Sequence, residues 1–443
     1  MISEPFKVII VGGGPSGLTA AYALYHAGID FVVLERRANV VEDLGASLVL
    51  GPASLRVFHQ FGILDQLIRI GGKLYENKAF DKEGRVFNHG SGPLAFHRAH
   101  LIQTLYDNLP EAAKTRYLTG KKLAGIKSTD TGAVVACEDG SSYSGTIVLG
   151  ADGVHSATRR QMRQLAIAED PTCEETWDAV KPYKTNYQCI WASFPRPTAA
   201  GQSYETQDTD RSVMYITGTD RGWIFLYEKL PKTTTERIAF SDKQLEEYAE
   251  RFADWHITET LKVKDVFKER FNAGGAGLEE GICRNWSWKG RVVIVGDAAH
   301  KFTPNAGLGF NNGVQDVVTV CNKLQNFISE TNEKTAGTEA VDFEALERMF
   351  KDYREERQEL LEADLVASAE MTRMHAWAST WAWFMSRYVM SWEFVQKLFI
   401  TYVVTPKVQK SAVVDFISKP EPFEGTYKWL HPLLKNITNG RTL

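Results

Sequence analysis

The chain has 443 residues, enough for two or three domains around a large core. Hydrophobic residues make up 44% and charged residues 24%, as in an ordinary soluble enzyme, and the net charge of -4 without a long basic run gives no reason to expect nucleic acid as a partner. The five cysteines are dispersed without a C-x-x-C pair, which argues against a disulfide framework or a zinc site and favours an intracellular protein.

The first predicted element is a short buried strand at residues 7–11, followed by a glycine-rich turn and a helix. Gly12, Gly14 and Gly17 form the pattern G-x-G-x-x-G. In this pattern the first glycine allows a tight turn, the second lets the backbone approach a pyrophosphate, and the third lets helix and strand pack closely. The helix begins at Ser16 and would point its positive N-terminus at the phosphates.

Glu35 ends a second apolar strand, 18 residues after Gly17, where a carboxylate can bind an adenosine ribose. A solvated acid at the end of a strand is the alternative for this residue. Arg36 can face a phosphate or stack on adenine, and a plain surface arginine is its alternative. The motif predicts an adenine dinucleotide site without separating NAD from FAD, and an incidental strand–turn–helix is the other interpretation.

The chain up to residue 153 continues as alternating helices and strands. Residues 53–67 are predicted as one helix, and residues 75–88 as short strands of a different sheet. A helix opens near Arg98, and strands are expected at 133–137 and 143–149.

The region from 180 to 275 is richer in β-prone runs, at 187–194, 212–218 and 223–230. Residues 219–222 suit a hairpin turn between the last two runs. We therefore expect a second, β-rich domain.

Aromatic side chains on these runs are candidates for the wall of a pocket. Residues two apart share one face of a strand, so Trp223, Phe225 and Tyr227 belong together. A stripe of this kind is also typical of an ordinary core, which is the alternative.

A strand at 291–297 returns the chain to the first domain, which is therefore predicted to be discontinuous. The strand delivers Asp297 to the edge of a sheet, where a carboxylate can bind a sugar-alcohol chain. A turn with Pro304 and Gly307 follows, and a helix starting near Gly309 would aim backbone N–H groups at the negative charge of a reduced isoalloxazine. A simple NAD dehydrogenase has no need of this second motif, so it favours a flavin.

The rest of the chain is predicted to be helical at 311–327 and 343–374, with an exposed polar loop at 329–339. Residues 374–405 are rich in aromatic side chains, but their uncharged run, 374–386, is too short to span a membrane. We expect a helical layer packed on the other domains, the alternative being an amphipathic surface in peripheral contact with a membrane. The chain start lacks the basic and apolar regions of a secretion signal, which predicts a cytoplasmic or peripherally membrane-associated protein.

Three motifs, taken in order, resemble those of the class A FAD-dependent monooxygenases of the aromatic-hydroxylase type. The first is the G-x-G-x-x-G pattern with Glu35, the second is Gly150-Ala151-Asp152-Gly153-Val154-His155-Ser156 with Arg159, and the third spans 296–309. Arg98 matches the family arginine that contacts FAD. The resemblance covers residues 5 to about 365. It implies that Asp152 organises its turn, with Arg159 as its partner, or contacts the cofactor directly.

The resemblance implies an α/β fold of the p-hydroxybenzoate hydroxylase type, with no metal required. It divides the chain into a Rossmann-like FAD-binding domain (1–75, 96–175 and 281–340), an inserted β-rich substrate domain (76–95 and 176–280) and a C-terminal helical region (341–443). The motifs together place at the FAD site Gly12, Gly14, Ser16, Gly17, Glu35, Arg36, Ala46, Arg98, Asp152, Asp297, Pro304, Gly307, Leu308, Gly309 and Phe310.

A finer resemblance is to the fungal branch that epoxidises or hydroxylates prenylated indoles and meroterpenoids. It is carried by residues 222–225, 303–309, 311–316 and 372–377. The chain departs from the branch at Phe310, where a glycine is expected.

The chain also departs from that branch at Gln188, which occupies the place of an arginine that faces flavin and substrate. The candidates for the substrate pocket are Gln188, Trp191, Tyr215 and Tyr227. In the segment that resembles the family's flavin-side loop, Glu42 or Asp43 can approach the flavin or act as an acid, and a solvated acid is the alternative.

The family implies that NAD(P)H reduces FAD, that O2 adds at flavin C4a, and that the resulting hydroperoxide delivers oxygen to the substrate. An electron-rich alkene would give an epoxide and an activated ring a phenol, and the expected substrate is a lipophilic terpenoid or prenylated aromatic molecule. The alternatives are a flavin oxidase or dehydrogenase on the same scaffold, and a binding module without turnover. The motifs do not indicate an oligomeric state.

Overall fold

The computed structural model describes residues 5–43, 47–90, 94–335, 340–422 and 428–433. One predicted cofactor residue, Ala46, lies outside the described residues. The fold is α/β, as predicted, with two main sheets, two small sheets and a helical C-terminal region.

The first main sheet carries the glycine-rich motif. Strand β1 (Lys7–Val11) pairs in parallel with β2 (Asp30–Leu34) and with β12 (Ile147–Gly150), and β12 pairs in parallel with β19 (Val292–Ile294). The carboxyl ends of these strands therefore meet at one edge. These strands are apolar and buried, as is usual for a parallel sheet covered on both faces. In spatial order the sheet contains Ser287–Trp288 (β18), Val292–Ile294 (β19), Ile147–Gly150 (β12), Lys7–Val11 (β1), Asp30–Leu34 (β2) and Tyr117–Leu118 (β8).

The second main sheet is largely antiparallel, and one of its faces packs against α7, Asp242–Glu250, and α8, Val263–Phe267. Its opposite face turns towards the first part of the chain. In spatial order it contains His300–Lys301 (β20), Asn272–Ile282 (β17), Lys184–Pro195 (β13), Arg221–Thr234 (β16), Arg211–Thr217 (β15), Gln202–Asp208 (β14), Glu76–Asp81 (β5) and Val86–Gly90 (β6).

Two three-stranded sheets complete the β structure. One contains Ser47–Leu50 (β3), Gly72–Lys73 (β4) and Leu94–His97 (β7), and the other contains Leu123–Thr129 (β9), Gly132–Cys137 (β10) and Ser142–Gly145 (β11). The helices before the C-terminal region, besides α7 and α8, are Pro15–Ala27 (α1), Pro52–Gln60 (α2), Leu64–Ile70 (α3), Arg98–Asp107 (α4), Glu111–Lys114 (α5), Ala157–Glu169 (α6) and Leu308–Thr335 (α9).

The C-terminal region is helical, as predicted. None of the helices in the described ranges has the length and apolar character needed to cross a membrane. The segment after residue 410 returns to α2, where Arg56 pairs with Glu421 and Gln60 donates to Val414 O at 2.8 Å. The helices are Phe343–His375 (α10), Thr380–Phe384 (α11), Glu393–Phe399 (α12) and Thr405–Gln409 (α13), joined by π-helical turns at Met385–Val389 and Ile400–Val404.

Several predicted boundaries are wrong for physical reasons. The helix expected at 53–67 is divided into α2 and α3 by a turn at Gly62, whose φ is +83°. Residues 143–149 form two strands of different sheets, and α9 extends through most of the polar stretch expected to be a loop. β14 and the glycine-rich β17 were not expected, because cross-strand pairing rather than their own residue preferences holds them in the sheet.

Candidate functional site

Two of the three glycines of the first motif lie where the protein itself leaves no room for a side chain, and the third borders open space. Gly12 has a φ of +104°, and a Cβ placed on it would lie 2.6 Å from Ala151 O. A Cβ on Gly17 would overlap the carbonyl oxygen of Gly12, so helix α1 can approach β1 only without a side chain there. A Cβ on Gly14 would have no neighbour within 4 Å. The N-terminus of α1 therefore leaves room for an external group to approach the backbone.

Glu35 is buried beside this turn, which excludes the solvated-acid interpretation. Its carboxylate accepts hydrogen bonds from the backbone N–H of Gly13 at 2.7 Å and of Arg37 at 2.9 Å. Tyr117 donates its hydroxyl to Gly13 O at 2.9 Å from the other side. Each oxygen of Glu35 uses one lone pair in these bonds, so the fixed carboxylate can still accept from a ribose hydroxyl.

Asp152 caps the start of α6. Its carboxylate accepts from the Ser156 hydroxyl and from the backbone N–H and hydroxyl of Thr158. The expected pairing of Asp152 with Arg159 is not formed. Arg159 instead donates to Ala298 O at 2.6 Å and to Val154 O at 2.8 Å. It therefore joins the second motif to the third, while Asp152 holds the turn.

The third motif brings Asp297 to the start of α9. The Asp297 carboxylate is partly exposed and pairs with Lys301 at 2.5 Å. A Cβ on Gly309 would lie 3.7 Å from Asp297 Oδ1, which places the first turn of α9 beside this carboxylate. Arg98 lies close enough for mutual electrostatic influence: burial lowers the pKa of Arg98, Asp297 raises it and Arg37 lowers it. Arg98, Asp297 and the N-terminus of α9 thus form one polar site.

The first and third motifs meet at Ser16. A Cβ built on Gly313 would lie 2.8 Å from Ser16 Oγ, and a Cβ on Gly296 would lie 3.0 Å from it. Helices α1 and α9 therefore begin side by side. One extended molecule can contact both N-termini, with its phosphates at α1 and a polar chain near Asp297. The residues present fit FAD in this orientation.

The remaining predicted residues of this motif border the same turn. Pro304 begins the short helical turn Pro304–Ala306, and Gly307 follows it with a φ of +63°. Leu308 opens α9. The Phe310 ring packs against Phe58 at 6.2 Å between ring centroids, so α2 accommodates the side chain at the position where a glycine was expected.

A buried charge network behind the third motif was not predicted. Asp316 accepts from Gly296 N–H at 2.9 Å, pairs with His300 at 2.5 Å and pairs with Arg357 at 2.9 Å. Burial alone would raise the pKa of Asp316, but His300 and Arg357 lower it to about 2. The available signal was a carboxylate within the apolar run of α9, beside Val317. Asp316 therefore holds the turn that presents Asp297.

The aromatic stripe predicted on β16 lies on the sheet face that turns towards β3 and β7. Trp223, Phe225 and Tyr227 share one apolar cluster, and Trp191 of β13 packs against it. The same cluster includes Val49, Leu74 and Ala95 from the other side. Because a Cβ on Gly307 would lie 3.2 Å from Val49, this aromatic layer lies close to the third motif. Trp191 and Tyr227 therefore remain candidates for the substrate pocket.

The structure does not bring the two other pocket candidates to this face. Gln188 lies on the opposite face and donates to Glu228 at 3.1 Å, beside Arg251 of the α7 region. Tyr215 is buried in the core under α7 and α8, and its hydroxyl is bonded to that of Thr198 at 2.6 Å. The strand alternation is the reason, since Gln188 and Trp191 are separated by an odd number of residues.

Comparisons with known proteins agree with this geometry. The model of the FAD binding domain family matches residues 5–361. The chain is 46% identical over 202 residues to the FAD-dependent monooxygenase SAT1 of Stachybotrys chartarum, an alignment that covers 45% of this chain and 66% of that protein. It is 31% identical to the FAD-dependent monooxygenase ausM of Penicillium brasilianum, over 80% of this chain and 75% of that protein.

A solved structure shares the fold. HpxO from Klebsiella pneumoniae, complexed with FAD and uric acid, superposes with a TM-score of 0.66 at 19% identity, covering 91% of this chain and 96% of that one. The family match spans most of the chain, and the three motifs form one site that fits FAD. The chain therefore belongs to the FAD binding domain family and is a class A FAD-dependent monooxygenase, a flavoprotein oxidoreductase of the aromatic-hydroxylase type.

Proposed function

We propose that the protein inserts one atom of O2 into a lipophilic natural-product intermediate of the prenylated aromatic or terpenoid class, with NAD(P)H as reductant. The second oxygen atom leaves as water, and NAD(P)H supplies the two electrons. When bound, FAD supplies the redox chemistry that connects NAD(P)H to O2. The observation that carries the proposal is the aromatic layer of Trp191, Trp223, Phe225 and Tyr227 beside the third motif. Such a layer excludes water and orients an apolar ring or alkene.

The choice of NAD(P)H is supported by basic residues around His155. Burial lowers the pKa of His155, and Arg237, Arg159, Arg160 and Arg36 lower it further, so each of these cations lies within electrostatic range of the ring, which also has Glu279 at 3.8 Å. Arg36 is exposed at this rim. A concentration of positive charge at the edge of the FAD site suits the phosphates of a pyridine nucleotide that docks from solvent.

The test of the proposed function is oxygen incorporation. The purified holoprotein would be incubated with NADPH, isotopically labelled O2 and a panel of prenylated phenols, indoles and terpenoid alkenes, with products read by mass spectrometry. We expect one labelled oxygen atom in the product. Oxidised but unlabelled product would indicate an oxidase or dehydrogenase, and a flavin that is not bleached by NADPH or NADH would indicate a binding module.

We also propose that the C-terminal region contacts a membrane surface. Several aromatic side chains are exposed there, among them Trp381 at 68%, Trp392 at 67% and Tyr402 at 73%. Charged side chains among them form pairs within the protein, since Glu393 pairs with Lys397 at 2.7 Å and Arg387 lies 3.5 Å from Asp81. Tryptophan and tyrosine prefer the interface between lipid and water, so this face suits a bilayer interface, from which a lipophilic substrate would also come.

A further inference from the structure

A buried histidine lies between the FAD motifs and the aromatic layer. His97 ends β7, directly before Arg98, and is only 3% exposed. Its Nε2 lies 3.0 Å from Asp43 Oδ1, in the segment that resembles the family's flavin-side loop. Arg221 Nη1 lies 3.3 Å from Asp43 Oδ2, and the His97 ring stacks on Trp223 with centroids 6.0 Å apart. The imidazole is thus held from two sides by elements of both main parts of the fold.

Two buried polar atoms in this cluster have no hydrogen-bond partner among the described residues. They are Nδ1 of His97 and Nε1 of Trp223, and the Trp223 residue is 1% exposed. A buried polar atom without a partner costs stability, so each such atom in a native protein needs an explanation. The two rings are stacked with centroids 6.0 Å apart, and we infer that a ligand oxygen at their common edge is the partner that both nitrogens lack.

The tautomer of His97 follows from its neighbours. His97 Nε2 faces two groups, the Asp43 carboxylate at 3.0 Å, which accepts, and Arg221 Nη1 at 3.3 Å, which donates. Arg221 also donates to Asp43, so the shorter contact with the carboxylate assigns the proton to Nε2, and Nδ1 keeps a lone pair. The charged or titratable groups around the ring are Asp43 from the loop, Arg221 from β16 and His100 from α4. Burial lowers the pKa of His97, Arg221 and His100 lower it further, and Asp43 opposes them. The neutral form, which can accept a proton, is therefore favoured near neutral pH.

We propose that His97 is a catalytic base that takes the proton of a phenolic or enolic hydroxyl of the substrate, while the indole N–H of Trp223 donates to the same oxygen. This inference rests on the proposed function and narrows its substrate class to molecules whose hydroxyl is conjugated with the carbon that is oxygenated. A substrate oxygenated at an isolated alkene would have no use for such a base.

The step transfers one proton and no electrons. The substrate O–H bond breaks, an N–H bond forms at Nδ1, and the electron pair stays on the oxygen. The Asp43 carboxylate stabilises the imidazolium ion that results, as a carboxylate does for a protonated histidine. The negative oxygen raises the electron density of the conjugated carbon, which is the property an electrophilic oxygen donor requires.

The proposal can be tested without knowing the natural substrate. The probe is 2-prenyl-4-nitrophenol, whose phenolate has its own visible absorption band, added to the holoprotein and read as a difference spectrum against holoprotein alone. In the wild type we expect the pKa of the bound phenol to fall by about one unit, a tenfold change in its acid dissociation constant. In His97→Gln, which keeps a donor towards Asp43 but lacks the base, we expect no such fall.

Matched variants separate the base from its surroundings. His100→Gln removes a neighbouring exposed histidine, with ring centroids 4.6 Å from His97, that lowers the pKa of His97, so this variant keeps the base and should show at least the wild-type fall. Trp223→Phe removes only the indole N–H donor and should weaken the shift. Should His97→Gln lose its flavin, the wild-type measurement still decides, because a bound probe whose pKa does not fall there would overturn the role of His97.

Three results would overturn the role of His97: a wild-type holoprotein that does not convert the probe to phenolate, a His97→Gln variant that converts it equally well, and a His97→Gln variant that incorporates labelled oxygen at the wild-type rate. Oxygen label in the products of that variant at wild-type rate would leave the monooxygenase function standing and remove only the base. If the product of the wild-type enzyme carried no oxygen label from O2, the proposed function itself would be contradicted.

Discussion

Replacement of Asp316 by asparagine should destabilise the protein far more than its single lost charge suggests. Asp316 and His300 are fully buried, and Arg357 is 5% exposed. The carboxylate accepts three donors, from Gly296, His300 and Arg357. An asparagine has one acceptor oxygen and presents an N–H₂ group to the remaining donors. Asp316→Asn therefore leaves a buried guanidinium without its counter-charge.

The expected magnitude follows from this burial. Breaking a buried pair by removing one partner costs about 3–5 kcal/mol. The pKa of Asp316, lowered to about 2, adds a pH dependence. Because this folded-state value lies below the ordinary one, the carboxylate stabilises the protein above pH ~4, and that contribution of about 2 kcal/mol is lost as the pH falls to ~2.

The difference in the free energy of unfolding is measured by urea unfolding of the wild type and of Asp316→Asn, followed by circular dichroism. Repeating these titrations from pH 7 down to the lowest pH at which the variant is still folded measures the pH dependence of that difference. Asp352→Asn, at an exposed position of α10, is the matched control and should be neutral. A loss of less than about 1 kcal/mol in Asp316→Asn would show that the buried network contributes little and would refute the reasoning.

Three further predictions concern the site and its surroundings. Asp297→Ala should purify with little flavin, read from visible absorbance, whereas the surface control Asp65→Ala should stay fully yellow; full flavin in the first variant would contradict the role of Asp297. Arg36→Ala should raise KM for NADPH about tenfold, the loss of one charge-assisted contact, measured on protein reconstituted to full flavin because Arg36 is also a predicted FAD contact; an unaltered KM would remove this arginine from the docking rim. Replacing Trp381 and Trp392 together by serine should reduce co-sedimentation with phosphatidylcholine vesicles, and a wild type that does not sediment with them would count against the membrane surface.

The cofactor motifs were predictable because their geometry is local. The separation of Gly12 and Gly17 is fixed by one turn between a strand and a helix, so the sequence pattern carries the backbone shape directly. The same holds for Asp297 and the turn before α9. These features identified the flavin before any tertiary contact was known.

The tertiary parts of the site were not predictable in this way. Whether Tyr215 faces the flavin side depends on its cross-strand partner, Ile224, whose register no single sequence displays. Gln188 is different, because it stands three residues before Trp191 on the same strand. Residues an odd number apart lie on opposite faces of a strand, so the sequence already excluded that Gln188 and Trp191 share one face. The contacts of His97 with Asp43 join segments 54 residues apart and leave no local pattern.

The order of strands in the first sheet has a consequence for biosynthesis. The central strand β1 lies against β12, and β12 lies against β19, so most of the polypeptide must leave the ribosome before the sheet has all its neighbours. β1 has both its neighbours once residue 150 is made, but the edge of β12 that β19 covers stays open to non-native pairing and aggregation until residue 294 is made. Nascent chains stalled before residue 292 should therefore depend on chaperones. The yield of recombinant protein should rise with slower translation and lower temperature, more than the stability of the finished molecule changes under the same conditions.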